Sequence, residues 1–504
     1  MSSPSVAVLL NGVKITVSTS LPLSASLKGE TPCGGHGKCG KCKAKVTGDV
    51  SPLTKTEREH LNDEELNSGI RLLCQTYPIG DCEVTTLTHN EEMHILTQGG
   101  RTLVSTIPVF QHYGIAIDIG TTTLASRLFD RQGKVLAEQG LCNPQTAYGA
   151  DILSRIEYAK HDKTALSHAL REGICELIHA LTVQARIPPA EVDALVLCGN
   201  TTMLYLLTET DTEPLSHAPF HLTRSFGEWL SASDLSLHIL TPTTKVYLCP
   251  VISAFVGADT VCAILATRLT KRDTPSLLVD IGTNGEMALF VDGNLSVTST
   301  AAGPAFEGVG ISQGMRGEVG AIDRVSVQNN QLLIHTIGEA LPKGICGSGL
   351  VDAVACLIRL HLLDESGYLE DEEIALTHTV RITQKDIRQL QLAKSAISAG
   401  IHALLCASDL TANRLGNVYI CGGFGTYLNL ENATQIGLLP EGVQQRCKVM
   451  GNSALDGASL LLLCADEFQN ALHIASSSRT LDLSTNPIFK EAYMMGMLFP
   501  EVDT

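Results

Sequence analysis

Apolar and polar positions alternate from the start of the chain. In VAVLLNGVKITVS (6–18) two β-branched runs flank Asn11-Gly12, which predicts a hairpin. KCKAKVTGDVS (41–51) predicts a further strand ending at the Gly48-Asp49 turn. SPLTKTEREHLNDEEL (51–66) is polar and partly helical, and IRLLCQTYPIGDCEVTTL (70–87) returns to strand. A small mixed sheet with one or two short helices fits a β-grasp domain over 1–88. Residues 89–110 show no clear period and are expected to be a linker.

Beyond the linker the pattern repeats. YGIAIDIGTTTLASRLFDRQGKVLAEQ (113–139) predicts three short strands, and about 160 residues later LLVDIGTNGEMALFVDGNLSVTS (277–299) has the same order of strand, turn, strand, turn, strand. A second pair follows: DALVLCGNTTM (193–203) and NVYICGGFGTYL (417–428), each a buried strand running into glycine and then a helix. An internal duplication of a βββαβα unit is the economical reading. It predicts two α/β lobes, 111–272 and 273–504, facing each other across the two Asp-Ile-Gly-Thr turns.

The cysteines change the picture of the first domain. Their spacing is Cys33-x5-Cys39-x2-Cys42-x31-Cys74. Plant-type [2Fe–2S] proteins use C-x4-C-x2-C and a distant fourth Cys, so the pattern differs by one loop residue. Glycines at 34, 35, 37 and 40 suit a loop whose backbone N–H groups approach sulfur. Structural zinc is the alternative, but it favours two paired knuckles, and here the fourth ligand stands alone in an apolar strand. Cys82 and His36 are left outside the ligand set.

Composition narrows the class without naming it. The chain has 504 residues, 44% hydrophobic and 18% charged, with a formal charge of −17 and no long basic block, which argues against nucleic acid. No apolar run is expected to approach the ~20 residues that a membrane helix needs, the densest being Ala458–Ala465 at about a third to half of that. The first residues lack a basic n-region and a cleavage site. Sixteen cysteines then read as thiols or ligands, and the cytoplasm is the expected compartment.

A strand ending in Asp-x-Gly-Thr presents N–H and hydroxyl donors in a tight concavity suited to phosphate. Its Asp can hold Mg²⁺ against those phosphates. Two such turns in register, with Gly-Gly-Phe-Gly after a late strand, predict nucleotide binding. The residues are Asp118, Gly120, Thr121, Thr122 and Thr123 in the first turn. Asp280, Gly282, Thr283, Asn284 and Gly285 form the second, and Gly422, Gly423 and Gly425 let a nucleoside approach the backbone. Glu286 and Asp259 are candidates to orient an attacking water, with a solvated or capping carboxylate as the alternative for each. Asp151 could cap its helix, and Cys198, Cys346 and Cys421 read as small core residues.

DIGTTT, DIGTNGE and GGFG resemble the phosphate and adenosine motifs of the superfamily of acetate and sugar kinases, heat-shock ATPases and actin. The whole chain, from about residue 4 onward, resembles the reductive activators of corrinoid proteins. Further stretches carry that resemblance, among them GLCNPQTAYGADILSRI (140–156), CGNTTMLYLL (198–207), AFVGADTVCAIL (254–265), AAGPAFEGVGISQGMRG (301–317), ICGSGLVDAV (345–354) and RTLDLSTNPIFKEAY (479–493). The interval before the first Asp-Ile-Gly turn is short.

The resemblance implies a [2Fe–2S] ferredoxin domain ahead of an actin-like ATPase of ribonuclease-H-like lobes, with ATP and Mg²⁺ as further cofactors. It implies a Co(II) corrinoid protein of a methyltransferase system as partner, an unidentified electron donor and, by resemblance alone, a homodimer. Plant-type clusters lie near about −400 mV. An acceptor ~100–200 mV lower needs roughly 2–5 kcal/mol, within the differential binding of two protein states. Three alternatives stay open: a small-molecule kinase with a regulatory ferredoxin domain, an activator of another low-potential acceptor such as a radical-type dehydratase, and a nucleotide-binding redox sensor.

Overall fold

The computed structural model describes residues 5–27, 35, 37, 40, 42–86 and 107–501. The expected ligands Cys33 and Cys39, with His36 and most of the expected linker, lie outside the described residues.

The N-terminal sheet has the strand order β2-β1-β5-β3-β4, built from β1 (Ser5–Leu10), β2 (Val13–Ser18), β3 (Lys43–Val50), β4 (Ile70–Leu72) and β5 (Pro78–Thr86). Asn11 and Gly12 both take positive φ, +48° and +85°, as a two-residue hairpin turn requires. The strand expected to stop at Gly48 runs on to Val50 through a register shift. Gly48 allows this at φ +104°: a Cβ there would lie 2.6 Å from Asp81 O, so the two backbones pair only because it is glycine. Helices α1 (Leu23–Ser26), α2 (Lys55–His60) and α3 (Asp63–Asn67) close the domain, the last two starting at the capping boxes Thr54/Glu57 and Asn62/Glu65.

The first lobe sheet contains β6 (Tyr113–Ile119), β7 (Thr123–Asp130), β8 (Val135–Cys142), β9 (Val192–Gly199), β10 (Glu228–Ser231) and β11 (Lys245–Leu248), in the order β10-β11-β9-β6-β7-β8. Helices α4 (Ile152–Ala185), α5 (Thr201–Leu207) and α6 (Ala258–Thr267) accompany it; Asp151 caps α4 through Ser154 N at 2.7 Å.

The second lobe begins with β12 (Ser276–Ile281), β13 (Gly285–Val291) and β14 (Asn294–Thr300). Smaller elements follow: β15 (Ala321–Gln328), β16 (Gln331–Thr336), β17 (Gly344–Ile345), α7 (Gly347–Arg359), β18 (Glu373–Ala375) and β19 (Arg381–Thr383). The main sheet is completed by β20 (Asn417–Cys421), β21 (Cys447–Gly451) and β22 (Arg479–Thr480), in the order β21-β20-β12-β13-β14-β22. In each lobe the strand carrying Asp-Ile-Gly pairs antiparallel with the next strand and parallel with a late one, β9 or β20. The duplication predicted from the pattern is therefore present in the topology.

Helix α8 (Gln384–Ala407) departs from the expectation that no apolar stretch approaches membrane-spanning length. At 24 residues it is long and apolar enough to cross a membrane, yet 72% of its most apolar window is buried within the fold. It is the core helix of the second lobe, and the tail helix α12 (Pro487–Met495) lies against it.

After α9 (Leu430–Gln435), the helices α10 (Ser453–Leu463) and α11 (Glu467–Ser477) pack into the core of the first lobe. Gly457 allows α10 to meet α6: a Cβ there would fall 2.0 Å from Cys262 O. Arg127 of β7 bonds Asp456 of α10 at 2.6 Å. The stretch 273–504 expected as the second lobe thus supplies packing to both lobes. The end of the expected linker packs there too, with Phe110 buried and Val109 N donating to Leu462 O.

Candidate functional site

Two sites can be built from the described residues. In the N-terminal domain Cys42 precedes β3 and Cys74 lies in the turn after β4, rather than within a strand as expected. Both are buried, at 6% and 4% exposure. Leu73 N donates to Cys42 O at 2.8 Å, so chain segments far apart in sequence bring the two cysteines together. Gln75 Nε2 lies 3.7 Å from Cys74 Sγ and also donates to Gly35 O, tying the cysteine loop to this turn. Gly35, Gly37 and Gly40 all have positive φ, and a Cβ on Gly37 would meet Thr56 Cγ2 at 2.6 Å.

Behind the turn Glu57 is fully buried. Its carboxylate accepts from Arg71 at 2.7 and 3.0 Å, from Leu72 N and from Thr76 Oγ1. Burial pushes its pKa up, but Arg71 and the backbone donors outweigh this and hold it below the usual value. The ion pair fixes α2 against the segment that carries Cys74. Cys82 is buried in β5, its thiol pKa raised by burial. Two buried cysteines and a loop of left-handed glycines fit a cluster whose sulfurs take backbone donors.

The second site is a cleft of about 600 Å³ between the lobes. It is lined by Asp118, Gly120, Thr121, Thr122, Thr123, Asp259, Asp280, Gly282, Thr283, Asn284, Glu286, Gly422 and Gly423. All were named from the sequence. Two others do not reach its wall: the space beside Gly285 is taken by Ile397, Thr300 and Met287, and that beside Gly425 by Ile420.

The first turn closes through Gly120 N to Thr123 O at 2.9 Å, and a Cβ on Gly120 would lie 2.6 Å from that oxygen. Its carbonyls are held from behind. Asn143 Nδ2 donates to Gly120 O at 2.8 Å and the fully buried Arg155 donates to Thr121 O at 2.6 Å. Burial lowers the Arg155 pKa to about 9, opposed in part by Asp151. The second turn closes through Gly282 N to Asn284 O at 3.0 Å.

Room for a ligand opens where these turns face each other. A Cβ on Gly282 would meet nothing nearer than 3.7 Å, and one on Gly423 nothing within 4 Å. Gly422 at φ +88° is different, since a Cβ there would strike Asp280 Oδ1 at 2.6 Å. Beside it Phe424 stacks on Phe306 with centroids 4.6 Å apart.

Four carboxyls crowd this cleft. Burial and the nearby Asp259 push Asp118 up to about 7, against the hydrogen bonds from Asn452 and Cys198. Burial and the charges of Asp259 and Asp118 push Asp280 up to about 7. Asp259, in the first turn of α6, is raised by burial to about 6, and its backbone and hydroxyl bonds from Thr260 oppose the rise. Glu286, paired across the sheet with Asp280, is raised well above the carboxylate range by burial and those two aspartates. Carboxyls that raise one another's pKa in this way would be favoured in their ionised form by a cation entering the cleft.

Several lining residues were missed. Asn200 and Asn452 cap α5 and α10 and send their amides to Thr121 Oγ1 (3.0 Å) and Asp118 Oδ2 (3.1 Å). The repeat Cys-Gly-Asn-Thr and Met-Gly-Asn-Ser after two strands was the available signal. Glu307 accepts from Thr122 Oγ1 at 3.2 Å and from Thr283 Oγ1 at 2.6 Å, joining the two turns across the cleft. Nothing local in the sequence marks it.

Known proteins share these parts. Residues 11–78 match the profile of a 2Fe-2S iron-sulfur cluster binding domain. Residues 113–272 match the RACo middle region, and 274–504 the C-terminal domain of RACo, the ASKHA domain. The corrinoid activation enzyme RamQ of Eubacterium limosum is 35% identical over 83% of this chain and 76% of its own. The chain belongs to the RACo family.

The [Co(II) methylated amine-specific corrinoid protein] reductase of Methanosarcina barkeri is 27% identical over 76% of both chains. A solved structure, a reductive activator for corrinoid, iron-sulfur protein, superposes with a TM-score of 0.71 at 29% identity and covers 99% of each chain. The family carries the fold expected from the motifs: a ferredoxin-type domain ahead of an actin-like ATPase.

Proposed function

We propose that this protein is an ATP-dependent reductive activator, which passes one electron from its N-terminal domain to a Co(II) corrinoid protein and regenerates Co(I). The observation that carries the reading is the cleft, where two phosphate-type turns from opposite lobes face each other over four half-buried carboxyls, in a chain whose first domain packs two cysteines beside a glycine loop.

Cys33, Cys39, Cys42 and Cys74 are the proposed ligands of a [2Fe–2S] cluster, which when bound supplies a one-electron carrier. Thr121, Thr122 and Thr123 on one side and Thr283 and Asn284 on the other would donate to the phosphates of ATP. Gly423, with nothing within 4 Å of a Cβ there, would leave the backbone open to the nucleoside, while Gly422 lets the strand end pass Asp280. Asp118 and Asp280 would hold Mg²⁺, whose charge offsets the repulsion among the carboxyls and keeps them ionised. Asp259 and Glu286 lie close enough to share that field, and the same cation would lower their pKa.

Because the turns belong to different lobes, ATP binding favours the closed arrangement, and hydrolysis weakens that preference. A corrinoid protein that binds the two states differently then has its reduction coupled to nucleotide turnover. One electron would leave the N-terminal domain for each Co(II) reduced to Co(I), and an external donor would replace it.

An anaerobic mixture of the reduced protein, Mg-ATP and a Co(II) corrinoid protein tests this in the visible spectrum. The Co(II) band should give way to Co(I) only with ATP, and Asp118→Ala or Cys74→Ser should abolish the change. Equal rates with and without ATP would overturn the reading, and a phosphorylated metabolite would favour a kinase.

A further inference from the structure

One charge in the nucleotide cleft has no place in that account. Six carboxylate side chains line it: Asp118, Asp259, Asp280, Glu286, Glu307 and Glu318. Among the described lining residues one side chain is basic, Arg316. A polyphosphate entering such a cleft meets strong repulsion unless cations offset it, and a divalent ion bound by the aspartates offsets only part.

The placement of Arg316 is specific. It follows a backbone fold that brings residues 308 and 314 together, since a Cβ on Gly314 would lie 2.2 Å from Gly308 O. The next residue is pinned: Met315 N donates to Ile345 O at 2.9 Å, and Ile345 N to Gln313 O at 2.9 Å. Ser312 N is bonded to Asp386 at the start of α8. The stem of Arg316 therefore starts from a fixed point on the second lobe.

Its guanidinium reaches the first lobe, where Nη1 donates to Cys142 Sγ at 3.3 Å, at the end of β8. The neighbouring Asn143 bonds Thr122 O and Gly120 O, both in the first phosphate turn. The guanidinium thus stands beside that turn. A phosphate takes a guanidinium through two charge-assisted bonds, whereas a thiol is a weak acceptor.

We propose that Arg316 is a catalytic residue of the nucleotide cleft, a cation carried by the second lobe that binds the terminal phosphates of ATP and stabilises the charge of their transfer to water. In that step water forms the new bond to the γ-phosphorus and the bond from that phosphorus to the β,γ-bridging oxygen breaks. ADP takes the electron pair, and the proton of the water passes to solvent. The guanidinium faces the oxygens on which negative charge is spread or accumulates. A residue anchored on one lobe and bonded to phosphate held by the other also makes closure depend on the third phosphate, which distinguishes ATP from ADP.

This rests on the cleft being an ATPase site, and the experiment separates the two. Arg316→Gln and Arg316→Lys are made in the full chain with Cys142→Ala as control. Titration calorimetry measures ATP, ADP and AMP with Mg²⁺, and phosphate release measures kcat and KM. Arg316→Gln should lower kcat at least ~10²-fold and compress the ATP-to-ADP affinity ratio, with AMP binding unchanged. Arg316→Lys keeps charge without the bidentate fork and should recover only part of kcat; it carries the test if the glutamine variant does not fold. Cys142→Ala should leave kcat unchanged. An Arg316→Gln protein with kcat within threefold of wild type and the same ATP-to-ADP ratio would overturn the proposal. If the wild-type protein neither binds nor hydrolyses Mg-ATP, the ATPase reading itself fails.

Discussion

Replacing Asp118 by Asn removes a charge that the nucleotide-free protein holds at a cost. The half-buried carboxyl is desolvated and faces the charge of Asp259, which together push its pKa from 3.8 up to about 7. A carboxyl whose folded pKa is raised binds more protons folded than unfolded, so stability falls as pH rises from about 4 to about 7 and stays low above it. At 1.36 kcal/mol per unit the penalty is about 4 kcal/mol at pH 8 and about 2 kcal/mol at pH 5. An Asn at this position can still accept the bond from Asn452, and loses only the long contact with the Cys198 thiol at 3.7 Å. Asp118→Asn should therefore stabilise the apo first lobe by about 2–3 kcal/mol more at pH 8 than at pH 5. For a lobe of this size that corresponds to a difference of roughly 5–10 °C in melting temperature. The assay is thermal melting in chelator at both pH values, repeated with Mg-ATP. The wild type should gain from Mg-ATP at pH 8 and the variant should not. A variant destabilised equally at both pH values, or still stabilised by Mg-ATP, would refute the reasoning.

Two further outcomes follow from named contacts. Glu307 occupies the hydroxyls of Thr122 and Thr283 that a phosphate would use, so Glu307→Gln should tighten Mg-ATP binding by ~3–10-fold, about 1 kcal/mol of relieved repulsion. Weaker binding by calorimetry would contradict that view. Lys394, fully buried in α8, donates to Gly496 O and Leu498 O, both at 2.6 Å, and lies over the ring of Phe499. Lys394→Met should free the chain end, at a cost of about 1.5–3 kcal/mol, and expose it to limited proteolysis while α8 stays protected. A tail as resistant as in the wild type would show that α12 docks by its own packing.

Much of the site was legible because its chemistry is local. A turn that must bind phosphate has to follow its strand directly, so Asp118 to Thr123 and Asp280 to Asn284 each read as one short string, and their repetition exposed the duplication. Gly285 and Gly425 belong to those strings but stand outside the cleft wall, since a glycine placed for packing looks like one placed for a ligand. Glu307 and Arg316 were not legible. Their meaning depends on which turn or strand of the other lobe they face, and no periodicity records a contact 185 or 174 residues away.

The sequence by itself determined the order of the parts: hairpin, cysteine loop, two strand-turn-strand units and their late partner strands. These follow from short-range alternation, turn chemistry and ligand spacing. Tertiary structure alone decided that α10 and α11 return to the first lobe and that α8 is a core helix rather than a span. It also decided that six carboxylate side chains line one cleft with, among its described lining residues, one basic side chain. A residue's charge state depends on burial and on its neighbours across the cleft, and both arise only when distant segments pack.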